Sequence, residues 1–273
     1  MYDLLIKNGL VLDGTGGASY SADVAAVGGD IVAIGRLDGE AAKTIDAGGL
    51  AVSPGFIDLH SHSDMSFLLD STAQSKVRQG VTMELNGNCG MSFCAPLQGD
   101  AGAQLEFELS QYESSFDVTW NDFGGYLDAL ENAGSTLNIA SQVGHHTLRA
   151  CVVGLEDRPP SRDELDRMKA LAAECLDAGA MGFSSGLYYA PGSYARPEEV
   201  MFVAAAAAER SKLYSTHMRD EGTANVGLFP AVIEAIELAR RTGVRLEISH
   251  VKCQGPSFQG RADEILEHMD RAV

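Results

Sequence analysis

Short runs of apolar residues, separated by glycine-rich turns, dominate the first fifty residues of the chain. Strands are predicted over residues 2–11, 22–27, 30–34 and 44–47, with turns at 14–17 and 28–29. A few short strands bury little apolar surface by themselves. We therefore expect residues 1–50 to form the N-terminal part of a small β-sandwich module.

From residue 51 the pattern changes to alternating strands and helices. Strands are predicted at 51–59, 82–85, 138–143, 181–184, 213–217 and 245–250, with helices between them at 72–79, 122–132, 163–178, 197–211 and 224–242. Ser161 and Glu164 form a capping-box pattern before the third helix, and Gly179 and Gly243 stand where left-handed C-terminal caps belong. Repeated βα units with polar strand ends favour an α/β fold, a TIM-type (β/α) barrel. Residues 51–273 are expected to supply about six of its eight units.

The barrel is expected to be incomplete. After Asp263 a helical pattern begins at residues 265–269, and the sequence stops at Val273 within it. A parallel barrel that lacks two strands has open edges and a half-covered core. We therefore expect a C-terminally truncated chain that needs the missing segment.

The composition limits the partners and the cellular location that the chain is expected to have. With 273 residues, of which 45% are hydrophobic, the chain can bury a large core, and no stretch approaches a membrane span. A net charge of −18 disfavours nucleic acid and anionic membranes as partners. The N-terminus lacks a secretory signal, and the five cysteines (89, 94, 151, 175 and 253) show no repeating spacing. Reduced thiols and a cytoplasmic location are therefore expected.

Candidate metal ligands collect at the predicted strand ends. His60 and His62 follow the first strand two residues apart, so both imidazoles point to one side. Cys89 follows the second strand, and His217 and His250 end the fifth and sixth. The carboxyl ends of barrel strands meet at one mouth, and imidazole together with thiolate suits zinc. Alone, each residue is more often a hydrogen-bonded histidine or a buried cysteine, but their joint placement predicts a metal site.

The other histidines are less informative. His145 and His146 follow the third strand. The sequence leaves two roles equally open for them: contact with a metal ligand or with substrate, and a plain structural role in a loop. His268 is expected at the surface, in the last helical pattern.

Several segments resemble a known family. Residues 54–64, Pro-Gly-Phe-Ile-Asp-Leu-His-Ser-His-Ser-Asp, resemble the first-strand signature of the amidohydrolase superfamily, and residues 6–14 resemble its N-terminal β module. Residues 87–90 (Gly-Asn-Cys-Gly), 144–149, 182–192 and 216–221 are similar to its N-acyl-D-amino-acid deacylase (D-aminoacylase) branch. The resemblance covers essentially all 273 residues, and Cys89 is its most specific mark. The second to fourth strand ends carry no lysine that could bridge two metals after carboxylation, which disfavours the hydantoinase and dihydroorotase branches.

The resemblance implies zinc-dependent hydrolysis of the amide bond of a small-molecule N-acyl-D-amino acid. It implies Cys89, His217 and His250 as tight zinc ligands, with His60 and His62 as a weaker or second-metal pair. Lys252 is expected to bind the substrate carboxylate, although it could be an ordinary solvated lysine. Further substrate contacts are expected from a loop after the fourth strand and from the segment after His217, namely Ser185, Tyr188, Tyr189 and Arg219. Loop structure, or an ion pair of Arg219 with Asp220 or Glu221, is the alternative reading.

The proton-transferring residue is expected to be absent. In the family it is an aspartate at the end of the last barrel strand, which would lie beyond Val273. Asp58 is better placed to support a ligand, and Asp64 to support the following loop. The 273-residue chain is therefore predicted to be inactive by itself. The alternatives are a hydantoinase-like or dihydroorotase-like enzyme for cyclic amides, and a non-catalytic metal-binding fragment.

Overall fold

The computed structural model describes residues 1–93, 97–112 and 116–272, so Cys94 lies outside the described residues. The chain divides into two units, Met1–Phe56 and Ile57–Val273. Among the described residues, no helix is both long enough and apolar enough to cross a membrane.

The first unit is built on a sheet of short strands. These are β1 (Tyr2–Val11), β2 (Tyr20–Val27), β3 (Asp30–Gly35), β4 (Ala41–Asp46) and β5 (Ala51–Val52). The strand order is β3-β2-β1-β4, and β5 also pairs with β1. In β1, Leu5, Gly9 and Val11 are buried at positions an even number of residues apart, as expected for one face of a strand. The predicted small N-terminal β module is confirmed.

A second sheet follows along the chain. Its strands are β6 (Phe56–Asp58), β7 (Val81–Asn86), β8 (Asn138–Gly144), β9 (Gly182–Gly186), β10 (Leu213–His217) and β11 (Arg245–Ile248). The strand order is β11-β10-β9-β8-β7-β6, and the pairs from β7 to β11 are parallel. Parallel strands that neighbour one another in chain order are typical of a (β/α) barrel. The fold class predicted from sequence, an incomplete TIM-type barrel, is confirmed.

Helices connect these strands and cover the sheet. They are α1 (Ser66–Leu69), α2 (Gln74–Val77), α3 (Asp100–Leu109), α4 (Phe123–Ala133), α5 (His145–Val152), α6 (Arg162–Asp177), α7 (Pro197–Ala208), α8 (Leu228–Thr242) and α9 (Ala262–Asp270). The main core joins Tyr126 of α4, Met168 of α6 and Val203 of α7 to Phe183 and Tyr214 of the sheet. This packing supports the strand ends that carry the candidate ligands.

The local helix signals act as the sequence predicts. Ser161 Oγ accepts a hydrogen bond from the Glu164 backbone N–H, and Glu164 accepts one from the Ser161 N–H, which completes the capping box of α6. Gly243 ends α8 in the left-handed conformation, and Gly179 follows α6 with a φ of +123°.

The predicted strand at 51–59 is wrong in its continuity and its burial. Pro54, which has no backbone N–H, and Gly55 separate β5 from β6. Phe56 and Ile57 are 62% and 58% exposed, because β6 lies at an edge of the sheet as the structure describes it. The predicted helix at 72–79 is likewise shorter and forms only over Gln74–Val77.

Candidate metal centre

Cys89 is the centre of a cluster of histidines. Its Sγ lies 3.4 Å from His60 Nε2, 3.7 Å from His217 Nδ1 and 3.5 Å from His250 Nε2. Two sets of three side chains could hold a metal ion, and Cys89 belongs to both: one with His60 and His62, the other with His217 and His250. The structure therefore brings together all five predicted ligands, from four different strand ends.

The loop after β7 presents Cys89 through an unusual backbone. Cys89 has a positive φ of 55°, a conformation that costs a non-glycine residue about 1–2 kcal/mol. Gly87, two residues before Cys89, has a φ of 72°, and a side chain at Gly87 would overlap the carbonyl oxygen of Gln142 on β8. The loop is thus pressed against the neighbouring strand, and only glycine fits at residue 87.

Asn88 fastens this loop to the segment that carries His60 and His62. Its buried amide donates to the carbonyl oxygens of Leu85, at 2.7 Å, and Ser61, at 3.3 Å. Its side-chain oxygen accepts from Gln142 Nε2 at 3.0 Å. Sequence reasoning gave Asn88 no role, although a polar side chain beside two glycines at a strand end was an available signal.

Glu221 contacts two of the candidate ligands, His217 and His250, at the ring nitrogens that face away from Cys89. Its Oε1 lies 3.1 Å from His250 Nδ1, 3.7 Å from His217 Nε2 and 2.5 Å from Lys252 Nζ. The Glu221 carboxylate and the Lys252 ammonium thus both lie at the Nδ1 side of the His250 ring, while Nε2 faces Cys89. The sequence suggested Glu221 only as an ion-pair partner of Arg219, and its position four residues after His217 was the signal to notice.

The electrostatics of the cluster suit a metal ion. Burial, together with repulsion from neighbouring imidazoles, lowers the pKa of His60 and of His217 to about 4, so both rings are neutral at pH 7. Burial raises the pKa of the Cys89 thiol to about 11. The ring atoms His60 Nδ1 and His217 Nε2 are buried without a hydrogen-bond partner. Neutral imidazoles around a thiol form a donor set that zinc can use once the thiol loses its proton.

Three predicted substrate-binding residues lie beside this cluster. Lys252 is half-exposed, and its Nζ lies 2.9 Å from His250 Nδ1. Tyr189 donates a hydrogen bond of 2.7 Å from its hydroxyl to the Cys89 carbonyl oxygen, and its ring is 5.3 Å from that of His217. The Tyr188 ring is 5.5 Å from the same imidazole.

Ser185 and Arg219 lie elsewhere than the sequence suggested. Ser185 belongs to β9 rather than to the loop after it, and its hydroxyl is fully buried, 2.8 Å from the hydroxyls of Tyr214 and Thr216. Arg219 is buried and forms a two-point ion pair with Glu234 of α8, not with Asp220 or Glu221. Residues distant in sequence supply these partners, so no local pattern could indicate them.

His145 and His146 begin α5 and are buried, so of the two alternatives left open by the sequence the plain loop role does not apply. His145 Nε2 contacts Glu199 at 3.1 Å, and that carboxylate also accepts a hydrogen bond from Arg149 at 2.7 Å. His146 Nε2 lies 3.0 Å from the amide nitrogen of Gln104. His268, expected at the surface, is partly buried against Phe229.

The two aspartates near the first ligands also have defined surroundings. Asp58 accepts hydrogen bonds from the His60 N–H, at 3.2 Å, and from Lys76, at 2.7 Å. Asp64 is buried, and burial raises the pKa of its carboxyl to about 7.

Comparison with known proteins gives consistent matches. A protein-family model described as "Amidohydrolase family" matches residues 43–269. An N-acyl-D-glutamate deacylase of Alcaligenes xylosoxydans xylosoxydans is 39% identical over 272 residues, which are 99% of this chain and 54% of that protein. The chain thus spans about half the length of the curated relatives that it matches along its full length.

Several solved structures are similar over the whole chain. The N-acyl-D-glutamate deacylase of Bordetella bronchiseptica, complexed with zinc and a phosphonate inhibitor, has a TM-score of 0.88 and 36% identity, covering 99% of this chain and 56% of that one. A D-aminoacylase, studied for its binuclear metal centre with one-metal activation and second-metal attenuation, has a TM-score of 0.89 and 36% identity, covering 100% and 56%.

Proposed function

Because the chain belongs to the amidohydrolase family, we propose that it serves the zinc-dependent hydrolysis of N-acyl-D-amino acids, which releases a carboxylate and a D-amino acid. The observation that carries the proposal is the position of Cys89 within 3.7 Å of three imidazoles at the strand ends. The D configuration rests on the names of the relatives, two of which are an N-acyl-D-glutamate deacylase and a D-aminoacylase.

The tight zinc site would consist of Cys89, His217 and His250. The second set, in which His60 and His62 share Cys89, would hold another ion more weakly, because His62 is exposed. When bound, zinc supplies Lewis-acid chemistry for the amide carbonyl and for water.

The chain's own residues would bind and orient the substrate. The Lys252 ammonium is half-exposed and lies 2.9 Å from His250 Nδ1, where it can hold the α-carboxylate of an amino acid near the metal site. Glu221 would keep both Lys252 and the His250 ring in place, through a hydrogen bond from Lys252 and a 3.1 Å contact with His250 Nδ1. Tyr188, partly exposed beside His217, is the hydroxyl best placed to contact a ligand, whereas for Ser185 and Arg219 we propose a supporting role.

The reaction also needs a carboxylate that accepts and returns a proton. Asp58 and Glu221 are engaged with Lys76 and Lys252, so we assign neither of them this task. Inactivity of the 273-residue chain by itself stays a prediction, as does a cytoplasmic location.

Metal analysis and a substrate panel test the proposal together. The purified chain should bind zinc, and any chelator-sensitive hydrolysis should favour N-acetyl-D-amino acids over their L isomers, hydantoins and dihydroorotate. Preference for a cyclic amide would instead favour a hydantoinase-like enzyme. Failure of the protein to bind zinc would contradict the proposal as a whole.

A further inference from the structure

A cavity of about 520 Å³ lies between α3 and the segments that follow Cys89 and β8. One face of α3 forms a wall of it, since the lining residues are spaced three, four, seven and eight positions apart: Asp100, Ala103, Gln104, Phe107 and Glu108. The opposite wall contains mainly apolar or aromatic side chains, including Met91, Phe93, Leu155, Tyr189 and Ala190. The cavity is large and predominantly apolar, which is typical of a small-molecule site.

This cavity adjoins the metal cluster on two sides. A smaller cavity of about 170 Å³ begins at His62 and Asp64 and shares Met91, Phe93 and Glu108 with the larger one. On the other side, Tyr189 lines the large cavity while its hydroxyl is bonded to the Cys89 carbonyl. A molecule whose reacting bond lies at the cluster can therefore extend one end into the space under α3.

We propose that this cavity is the subsite for the acyl chain, and that the preferred substrates carry an aliphatic acyl group longer than acetyl. The inference rests on the proposed function. Charge decides which end of the substrate enters. Among the described residues that line the two cavities, Asp100, Glu108 and Asp64 are the carboxyl side chains and there is no lysine or arginine. These surroundings repel a carboxylate and accept a neutral hydrocarbon.

The amino-acid end is directed the other way. Lys252 lines neither cavity and lies beside His250, at the β11 end of the described sheet. His146 also lines the large cavity, but its imidazole is neutral at pH 7 because burial lowers its pKa to about 4. An amide at the cluster would thus place its carboxylate near Lys252 and its acyl chain near α3.

The chain-length dependence of binding tests the proposal. Each buried methylene should strengthen binding about fourfold. We would measure by calorimetry the dissociation constants of N-acetyl-, N-butanoyl-, N-hexanoyl- and N-octanoyl-D-alanine for the zinc-loaded 273-residue protein, and in parallel the release of D-alanine.

Two variants locate the effect. Ala103→Trp fills the cavity from an exposed helix position, so it should fold normally and lose most of the gain from N-acetyl to N-octanoyl. Ala133→Trp, at the exposed end of α4 and outside both cavities, should keep the full gain. Circular dichroism of both variants would check that they are folded.

The outcomes separate this inference from the proposed function. Chain-length-dependent binding that Ala103→Trp removes supports the subsite, even when no D-alanine is released. A dissociation constant independent of acyl length, or a gain that survives in Ala103→Trp, overturns it, even when N-acetyl-D-alanine is hydrolysed. Absence of binding by every compound overturns it as well.

Discussion

Replacement of Cys89 by serine should remove more metal affinity than any other single change in the cluster. Cys89 is shared by the two candidate metal sets, so one substitution reduces both from three donors to two. Serine is nearly the same size, and it accepts the positive φ of 55° at the same cost as cysteine. The expected loss is therefore one of ligation and not of fold.

The magnitude follows from the ligand count. Loss of a hydrogen-bond partner behind a metal ligand costs about 10–100-fold in affinity. Loss of a direct, anionic ligand should exceed that, so we expect Cys89→Ser to weaken the first zinc more than about 100-fold, or roughly 3 kcal/mol. His62→Ala removes a donor from one set only and leaves Cys89, His217 and His250 intact. It should change the first zinc by less than about threefold while abolishing the second.

The assay is competition for zinc against a chromophoric chelator, combined with elemental analysis of the dialysed protein. Cobalt(II) in place of zinc adds a direct signature, since the thiolate-to-metal absorption band should disappear in Cys89→Ser. Cys151→Ser, a half-buried thiol outside both metal sets, is the matched control and should behave as wild type. The reasoning is refuted if Cys89→Ser binds zinc within threefold of wild type, or if His62→Ala weakens the first zinc equally.

Three other predictions concern the surroundings of the site and the fold. Glu221→Gln keeps the shape of the side chain but removes the charge that orients an imidazole and a lysine, so zinc affinity measured by the same competition should fall about 10–100-fold. Glu164→Gln should lower the free energy of unfolding at pH 7 by about 1 kcal/mol in urea titrations, because Arg158 and the Ser161 N–H hold the pKa of this carboxyl at about 2. Since the folded-state pKa is depressed, the difference from wild type should be full above about pH 5 and should vanish as the pH falls toward 2. Gly87→Ala should lower the unfolding midpoint and the zinc content together, because its methyl group would overlap the Gln142 carbonyl, and a variant as stable as wild type would contradict this.

Local patterns predicted much of the secondary structure. The strand at 213–217 has the predicted bounds, and the capping box at Ser161 and the left-handed Gly243 are present as expected. These features depend on interactions between residues a few positions apart, so they can be predicted from a single sequence. The end of the last strand was harder to predict from the sequence. The strand predicted to reach residue 250 ends at Ile248, and His250 itself has a positive φ of 37°.

The sequence by itself determined that this is an α/β chain with imidazoles and a thiol at the carboxyl ends of its strands, because periodicity decides where strands end and parallel strands end at one edge. Only the tertiary structure decided what stands behind and beside those ligands. The carboxylate of Glu221 behind His250, the pairing of Arg219 with Glu234 and the cavity under α3 all join residues far apart in the chain or from different elements. Such contacts depend on how the helices pack on the sheet, and no local pattern contains that information.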